Sequence, residues 1–161
     1  MLYKESFLEA VREFHAEDRN LELDERDLMT NFRHYVQNWV DRKANPRPGK
    51  VPESTFWLIA DDTFVGRVSI RHVLDESLLQ FGGHIGYEIR PTQRRQGYGK
   101  EILRLGLEKA REVDIHSALV TCDDDNIASA KIIEANGGVL ENIIVLAGRD
   151  ISTRRYWITL S

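Results

Sequence analysis

Hydrophobic residues recur at helical spacing in the first quarter of the chain. In residues 6–16, and again in residues 24–40, large apolar side chains return every three or four positions. This spacing places them on one face of an α-helix. The following segment, from Asn45 to Gly49, contains two prolines and a glycine, which do not continue a helix. The pattern therefore predicts two amphipathic helices followed by an extended loop.

Beyond this loop the period of the pattern changes. Residues 55–60, 64–71 and 84–90 are rich in β-branched and aromatic side chains, which is typical of strands. The pair Asp61-Asp62 separates the first two segments and is a turn signal. We expect consecutive antiparallel strands in this part of the chain.

The second half of the chain alternates between the two patterns. It predicts a helix at about 97–113, a strand at 118–122, a helix at 127–135 and closing strands near 139–147 and 153–160. Together with the first half, this order predicts an α/β (α+β) fold, in which a mixed, mostly antiparallel sheet carries helices on both faces. A chain of 161 residues without an internal repeat is expected to form one domain over residues 1–161.

Composition and charge narrow the classes of function. The formal net charge of −4 gives no general attraction for nucleic acid or an anionic membrane, so neither is an expected partner. No segment is apolar enough to span a bilayer, and the first residues lack the apolar region of a secretory signal. The single cysteine, Cys122, cannot form an internal disulfide. These features favour a cytoplasmic location.

A glycine-containing turn is the main candidate for binding chemistry. The strand at 84–90 ends at Pro91, and Gly97-Tyr98-Gly99 opens the next helix. Backbone N–H groups at a helix N-terminus favour a phosphate, although two such glycines also make an ordinary tight connection. The sequence Gly99-Lys100-Glu101 lacks the Ser or Thr of a P-loop, and a dinucleotide fingerprint requires a third glycine near Ile102. Both of these nucleotide folds are thereby excluded.

The residues around this turn resemble a known family. Arg94, Gly97 and Gly99 fill the Arg-x-x-Gly-x-Gly pattern of the coenzyme A loop in the GNAT superfamily of N-acetyltransferases. Asn126, followed by a helix and by Gly137-Gly138, resembles a second feature of that family. Segments 52–57, 82–87 and 155–158 are similar to a bacterial subgroup of predicted acetyltransferases. The resemblance implies an acetyl-CoA-dependent enzyme that acetylates a primary amine of a small molecule or peptide, and a homodimer is compatible with it.

The resemblance also implies which residues bind the coenzyme. The backbone N–H groups of residues 95–100 would cradle the pyrophosphate, and the main chain of Ile89 would bond the pantetheine. The expected coenzyme contacts are Ile89, Arg94, Arg95, Gln96, Gly97, Tyr98, Gly99, Lys100 and Asn126. Exposed basic residues are also commonly only solvated surface, and an Asn at the start of a helix is also an ordinary N-cap.

No metal is expected. The run Asp123-Asp124-Asp125 suggests calcium, but an EF-hand loop needs Gly at its sixth position and Glu at its twelfth, where this chain has Ala128 and Glu134. The five histidines show no paired ligand spacing.

Acetyl transfer to an amine requires a group that accepts the amine proton and one that protonates the departing thiolate. By resemblance, Glu88 is the carboxylate nearest the thioester and is the predicted catalytic base, with a surface or substrate-binding role as the alternative. Transfer is expected to be direct, because Cys122 has no evident activating partner.

The expected acid is missing from the sequence. Many family members have a tyrosine seven residues after the asparagine, where this chain has Ile133. Tyr87, a water molecule or no residue at all would then serve as the acid. The alternative function is a non-catalytic acyl-CoA-binding sensor or structural module.

Overall fold

The computed structural model describes residues 2–160, and its helices and strands follow the order that the sequence predicts. The first part contains α1 (Lys4–His15), α2 (Glu25–Asp41), β1 (Glu53–Ala60), β2 (Thr63–Arg71), α3 (Glu76–Gln80) and β3 (Ile85–Ile89). A 3₁₀ turn (Pro91–Gln93) then leads to α4 (Tyr98–Arg111), β4 (Ser117–Asp123), α5 (Ile127–Ala135), β5 (Val139–Ile144) and β6 (Thr153–Thr159).

The differences from the predicted elements are local. Helix α3 and the 3₁₀ turn were not predicted, because elements of five and three residues are too short to show a hydrophobic period. Asp75 begins α3 by accepting a hydrogen bond from the N–H of Leu78 at 2.8 Å. Strand β5 ends at Ile144 rather than at 147, since the chain then turns with the N–H of Arg149 donating to the carbonyl of Leu146.

The six strands form one sheet in the order β1-β2-β3-β4-β6-β5. Neighbouring strands are antiparallel except β3 and β4, which are parallel and share the single register pair Ile85 and Val120. The predicted mixed, mostly antiparallel sheet is therefore confirmed. Beyond that register pair no further pairs join the two strands in residues 2–160, which leaves an opening at the centre of the sheet.

Helices cover both faces of the sheet, as predicted. On one face α1 and α2 pack on β1 and β2, where Phe7 stacks on Trp57 with ring centroids 4.6 Å apart. On the other face α4 and α5 cover a second core that includes Val68 of β2 and Ile85 of β3. The opening between β3 and β4 thus connects two helical layers.

A buried arginine fixes α1 against the end of β3. The guanidinium of Arg90 lies 2.7 Å from Glu13 and 3.1 Å from Glu9, both on α1. Thr92 strengthens the contact, because its N–H also donates to Glu13 at 3.1 Å. This anchor holds the segment after α1 beside the end of β3.

Candidate active site

A cleft of about 540 Å³ is lined by the end of β3, the loop before α4 and the first turns of α5. The cleft brings together eight of the predicted site residues, namely Glu88, Ile89, Arg94, Arg95, Gly97, Gly99, Lys100 and Asn126. The side chains of Gln96 and Tyr98 do not line it. Sequence reasoning missed five further lining residues, Arg19, Ala128, Ser129, Lys131 and Ile132, whose types and spacing carry no recognisable signal.

The loop before α4 presents unpaired backbone donors to this cleft. Within residues 2–160, the N–H groups of residues 95–99 have no protein acceptor. The N–H of Lys100, which was also predicted to bind phosphate, instead donates to the carbonyl of Gly97 at 3.1 Å in the first turn of the helix. Five consecutive free N–H groups at the positive end of a helix dipole form a site for an anion.

The two glycines of the loop serve different purposes. Gly97 is the N-cap of α4 with φ 86°, a left-handed conformation that glycine adopts without a steric penalty. A Cβ at Gly97 would meet nothing within 4 Å, whereas a Cβ at Gly99 would lie 2.6 Å from Cδ1 of Ile132 on α5. Gly97 therefore provides the conformation, and Gly99 allows the two helices to approach each other.

The basic side chains of the loop are not equivalent. Arg94 donates to both carboxylate oxygens of Glu17 at 2.8 and 2.7 Å, and its Nε donates to the carbonyl of Ile89 at 3.3 Å. The hydrogen bond from Arg94 lowers the pKa of Glu17. Among the residues that the structure describes, neither Arg95 nor Lys100 lies within 4.0 Å of a carboxylate. Arg95 and Lys100, rather than Arg94, therefore carry uncompensated charge at the cleft.

Asn126 is the N-cap of α5, one of the two roles that the sequence allowed for it. Its Oδ1 accepts a hydrogen bond from the N–H of Ser129 at 3.0 Å and so caps α5. Ile133, further along the same helix, is fully buried in the core. The position at which many family members carry a tyrosine therefore faces away from the cleft in this chain.

Glu88 is held by three side chains. Its carboxylate lies 2.6 Å from Nε of Arg67, 3.2 Å from Nδ2 of Asn20 and 3.4 Å from Nη2 of Arg19. Only 13% of its side chain is exposed. Asn20 and Arg19 come from the segment after α1, so the first helix contributes to the orientation of this carboxylate.

Tyr87 and Ser129 bridge the opening between β3 and α5. The Tyr87 hydroxyl lies 2.8 Å from Oγ of Ser129, and burial raises the pKa of Tyr87 to about 12. Nearby on β4, burial also raises the pKa of the Cys122 thiol. At neutral pH both groups are protonated, so Tyr87 is a hydrogen-bond donor and Cys122 is a poor nucleophile.

Two of the three aspartates at the end of β4 are in ion pairs. Asp124 pairs with Arg154 at 2.6 Å, and Asp123 pairs with Arg149. Over residues 2–160, no three His, Cys, Asp or Glu side chains are grouped so as to hold a metal ion. In the same span, no helix combines the length and the apolar character needed to cross a membrane.

Comparison with known proteins agrees with this geometry. Residues 8–139 match the acetyltransferase (GNAT) domain family. A guanylate kinase of Bifidobacterium longum is 29% identical over 84 residues, which are 50% of this chain and 43% of that protein. The chain thus spans less than half the length of that relative.

Three solved structures share the fold. The ribosomal L7/L12 α-N-protein acetyltransferase RimL, in complex with coenzyme A, has a TM-score of 0.69 at 18% identity over 98% of this chain and 89% of its own. An acetyltransferase from Salmonella typhimurium that modifies the N-terminal serine of L7/L12 gives 0.66 at 19%, covering 99% and 90%. The microcin C7 self-immunity acetyltransferase MccE, in complex with acetyl-CoA and AMP, gives 0.68 at 15%, covering 98% and 87%. Since the family match extends over most of the sequence, the chain belongs to the acetyltransferase (GNAT) domain family.

Proposed function

We propose that this chain is an acetyl-CoA-dependent N-acetyltransferase, which transfers the acetyl group directly to a primary amine of a small molecule or peptide in a ternary complex. The observation that carries the proposal is the continuity of one cleft. It runs from the free N–H groups of residues 95–99 to Tyr87 and Glu88 at the opening in the sheet. Membership of the family and the coenzyme complexes of two structural relatives support it.

The residues of the cleft fit the coenzyme. The free N–H groups of the loop suit a pyrophosphate, and the positive charges of Arg95, Lys100 and Lys131 lie around them. The cleft continues from this loop along the end of β3 to Tyr87 and Glu88, which leaves room for the extended part of the coenzyme. Bound in this way, acetyl-CoA supplies an acetyl thioester beside Tyr87 and Glu88.

Glu88 is the proposed proton acceptor. Its shortest contact is with Arg67 at 2.6 Å, whereas Asn20 and Arg19 lie at 3.2–3.4 Å, so an incoming amine would have to replace one of these two longer contacts. As the new C–N bond forms, the proton that leaves the amine nitrogen passes to Glu88, directly or through water. Arg67 and Asn20 keep the carboxylate oriented during this step.

Tyr87 is the proposed donor to the sulfur. As the C–S bond breaks, the hydroxyl of Tyr87 donates a hydrogen bond or its proton to the departing thiolate. Ser129 orients this hydroxyl at 2.8 Å and occupies the same helix as Ile133. The chain thus places a tyrosine on β3 at the cleft where many family members use one on the following helix.

Free-thiol release tests the proposed function. Purified protein with acetyl-CoA and a panel of primary amines should release coenzyme A thiol only when an amine is present, and mass spectrometry should find the acetylated amine. Reactions without amine, and reactions with Gly97→Glu protein, serve as controls. Binding of acetyl-CoA without amine-dependent thiol release would instead support the sensor alternative, which the absence of a tyrosine at Ile133 favours.

A further inference from the structure

A second cavity lies on the side of the sheet that α2 covers. It has a volume of about 280 Å³ and shares Arg19, Tyr87 and Glu88 with the coenzyme cleft. The two cavities therefore meet at the middle of β3, beside the proposed base. A molecule in the second cavity reaches Glu88 from the side opposite to the glycine loop.

This second cavity is positively charged in a chain whose net charge is −4. Four arginines line it, Arg19, Arg47, Arg67 and Arg71, against two glutamates, Glu53 and Glu88. Both glutamates already have a close guanidinium partner, because Arg42 lies 3.1 Å from Glu53 and Arg67 lies 2.6 Å from Glu88. Positive charge therefore remains without a compensating anion.

Arg71 is the clearest case of this excess. Its Nη1 donates to the carbonyls of Gly82 and Gly83 at 2.9 and 3.1 Å, but over residues 2–160 no carboxylate lies within 4.0 Å of its guanidinium. Burial lowers the pKa of Arg71, and the charges of Glu53 and Asp75 oppose this effect only in part, so the protein environment disfavours the charge. A partly buried guanidinium without an anion is costly, and a bound carboxylate or phosphate would offset that cost.

Gly86 lines the second cavity beside Arg71 and has no side chain that would fill it. An added Cβ at Gly86 would meet only Nη2 and Nη1 of Arg71, at 3.5 and 3.7 Å, which is ordinary van der Waals contact. The fold therefore tolerates a side chain here, and the space is available to a ligand. Gly86 and Glu88 lie two residues apart on the same face of β3, which corresponds to about 7 Å along a strand.

From these contacts we infer that the second cavity binds the acceptor, and that the acceptor is an amine carrying an anionic group, a carboxylate or a phosphate. The anionic group lies against Arg71 beside Gly86, and the amine lies at Glu88, whose backbone is about 7 Å along the strand from that of Gly86. This inference rests on the proposed acetyltransferase function and specifies the substrate class of the same site. Trp39, which stacks under Arg42 at 3.4 Å, forms a flat wall beside the two groups.

Matched acceptors test the inference. We would measure kcat/KM for ω-amino carboxylates of three to six carbons, each against the amino alcohol of the same length, and for phosphoethanolamine against ethanolamine. Charge-assisted hydrogen bonds predict a preference of about ten- to hundredfold for the anionic member of a pair. The preference should increase toward the longer carboxylates. Comparison of the phosphoethanolamine pair with the carboxylate pairs shows whether the site prefers a phosphate or a carboxylate.

Three variants in the second cavity locate the recognition, and a fourth on α4 is the control. Arg71→Gln should bring the ratio of anionic to neutral acceptor toward one without changing the affinity for coenzyme A, whereas Arg71→Lys should retain part of the preference. Gly86→Val should lower kcat/KM for all acceptors at unchanged coenzyme affinity, which tests the location of the acceptor, and a reduced preference in Arg71→Lys tests the anion if Arg71→Gln does not fold. Arg104→Gln removes an arginine on the exposed face of α4 and should leave the ratio unchanged.

The possible outcomes distinguish the inference of an anionic acceptor from the proposed acetyltransferase function. Amine-dependent thiol release with neutral amines equal to or better than their anionic partners would overturn the anionic acceptor and leave the acetyltransferase intact. An Arg71→Gln variant that is folded and keeps the full preference would also overturn it. Absence of thiol release with every amine would instead contradict the proposed function itself.

Discussion

Arg67 and Glu88 face each other across β2 and β3, with Nε of Arg67 2.6 Å from Oε1 of Glu88. The antiparallel register places these two residues directly opposite, so the sheet itself holds the ion pair in place. Both residues line the second cavity, and Glu88 also lines the proposed coenzyme cleft. The pair thus points the carboxylate at the place where the two cavities meet.

The first prediction concerns Glu88→Gln, which keeps an oxygen for Arg67 and removes the base. General-base assistance is worth roughly 10²- to 10⁴-fold, so kcat should fall by about that much with little change in coenzyme affinity. Glu101→Gln, which removes an exposed carboxylate on α4, is the matched control. Activity of the Glu88→Gln variant within a few-fold of wild type at every pH would return Glu88 to a structural role.

The second prediction concerns Tyr87→Phe. The ring keeps its packing while the hydroxyl donor is lost, so kcat should fall by about 10²-fold and the affinity for coenzyme A should persist. Loss of the hydrogen bond to Ser129 should lower the free energy of unfolding by about 0.5–1.5 kcal/mol. Ser129→Ala removes the same bond but leaves the hydroxyl of Tyr87, so its kcat should stay above that of Tyr87→Phe. Equal activity of Tyr87→Phe and wild type would assign the sulfur proton to water.

Cys122→Ala should retain most of the wild-type kcat. Burial raises the pKa of this thiol, and direct transfer has no acyl-enzyme step. The measurement is steady-state thiol release, accompanied by circular dichroism to verify folding. Near-complete loss of activity in folded protein would show that an acyl-enzyme forms.

His84 should make stability depend on pH below about 6.5. Its Nδ1 accepts a hydrogen bond from the N–H of Leu119 at 3.0 Å, and burial, followed by the charge of Arg71, lowers its pKa below the ordinary value of 6.5. The unfolded chain then binds a proton that the folded chain does not, so stability is fully present above pH 6.5 and is lost as the pH falls through the folded pKa.

His84→Asn is the variant that isolates this effect. The asparagine Oδ1 can accept the same hydrogen bond without titrating, so urea denaturation between about pH 7 and pH 5 should show a smaller loss of stability than in wild type. Part of the loss should remain, because burial also lowers the pKa of His72. His116→Asn, at an exposed position, should behave as wild type. An unchanged pH dependence in His84→Asn would contradict this assignment.

The sequence predicted the elements of the sheet and the long helices, because their hydrophobic periods are regular over many residues. It also indicated the loop before α4 as the proposed coenzyme site, because Arg94, Gly97 and Gly99 are close together in the chain and follow a family pattern. Which basic side chains of that loop are ion-paired and which are free depends on how distant segments pack together. That Arg94 is paired with Glu17 could not be seen from the sequence, since two helices and three strands separate the partners along the chain.

The second cavity was not predicted from the sequence for a similar reason. Arg19, Arg47, Arg67 and Arg71 are spread over two loops and a strand, and no local spacing connects them. They meet because β2 presents Arg67 and Arg71 on the same face and because the Arg90 anchor holds the end of α1 nearby. The net charge of the whole chain, −4, gives no indication of a positively charged cavity.

The most direct measurement is calorimetric titration of coenzyme A into wild type, Gly97→Ala and Gly97→Glu. Both variants carry the same strain of about 1–2 kcal/mol at a positive φ, and the space around the Cβ position is empty within 4 Å. They differ in the carboxylate, which in Gly97→Glu would lie among the N–H groups proposed to hold the pyrophosphate. We predict that Gly97→Ala binds with moderately weakened affinity and that Gly97→Glu, shown to be folded by circular dichroism, does not bind. Undiminished affinity in Gly97→Glu would contradict the assignment of this loop as the coenzyme site.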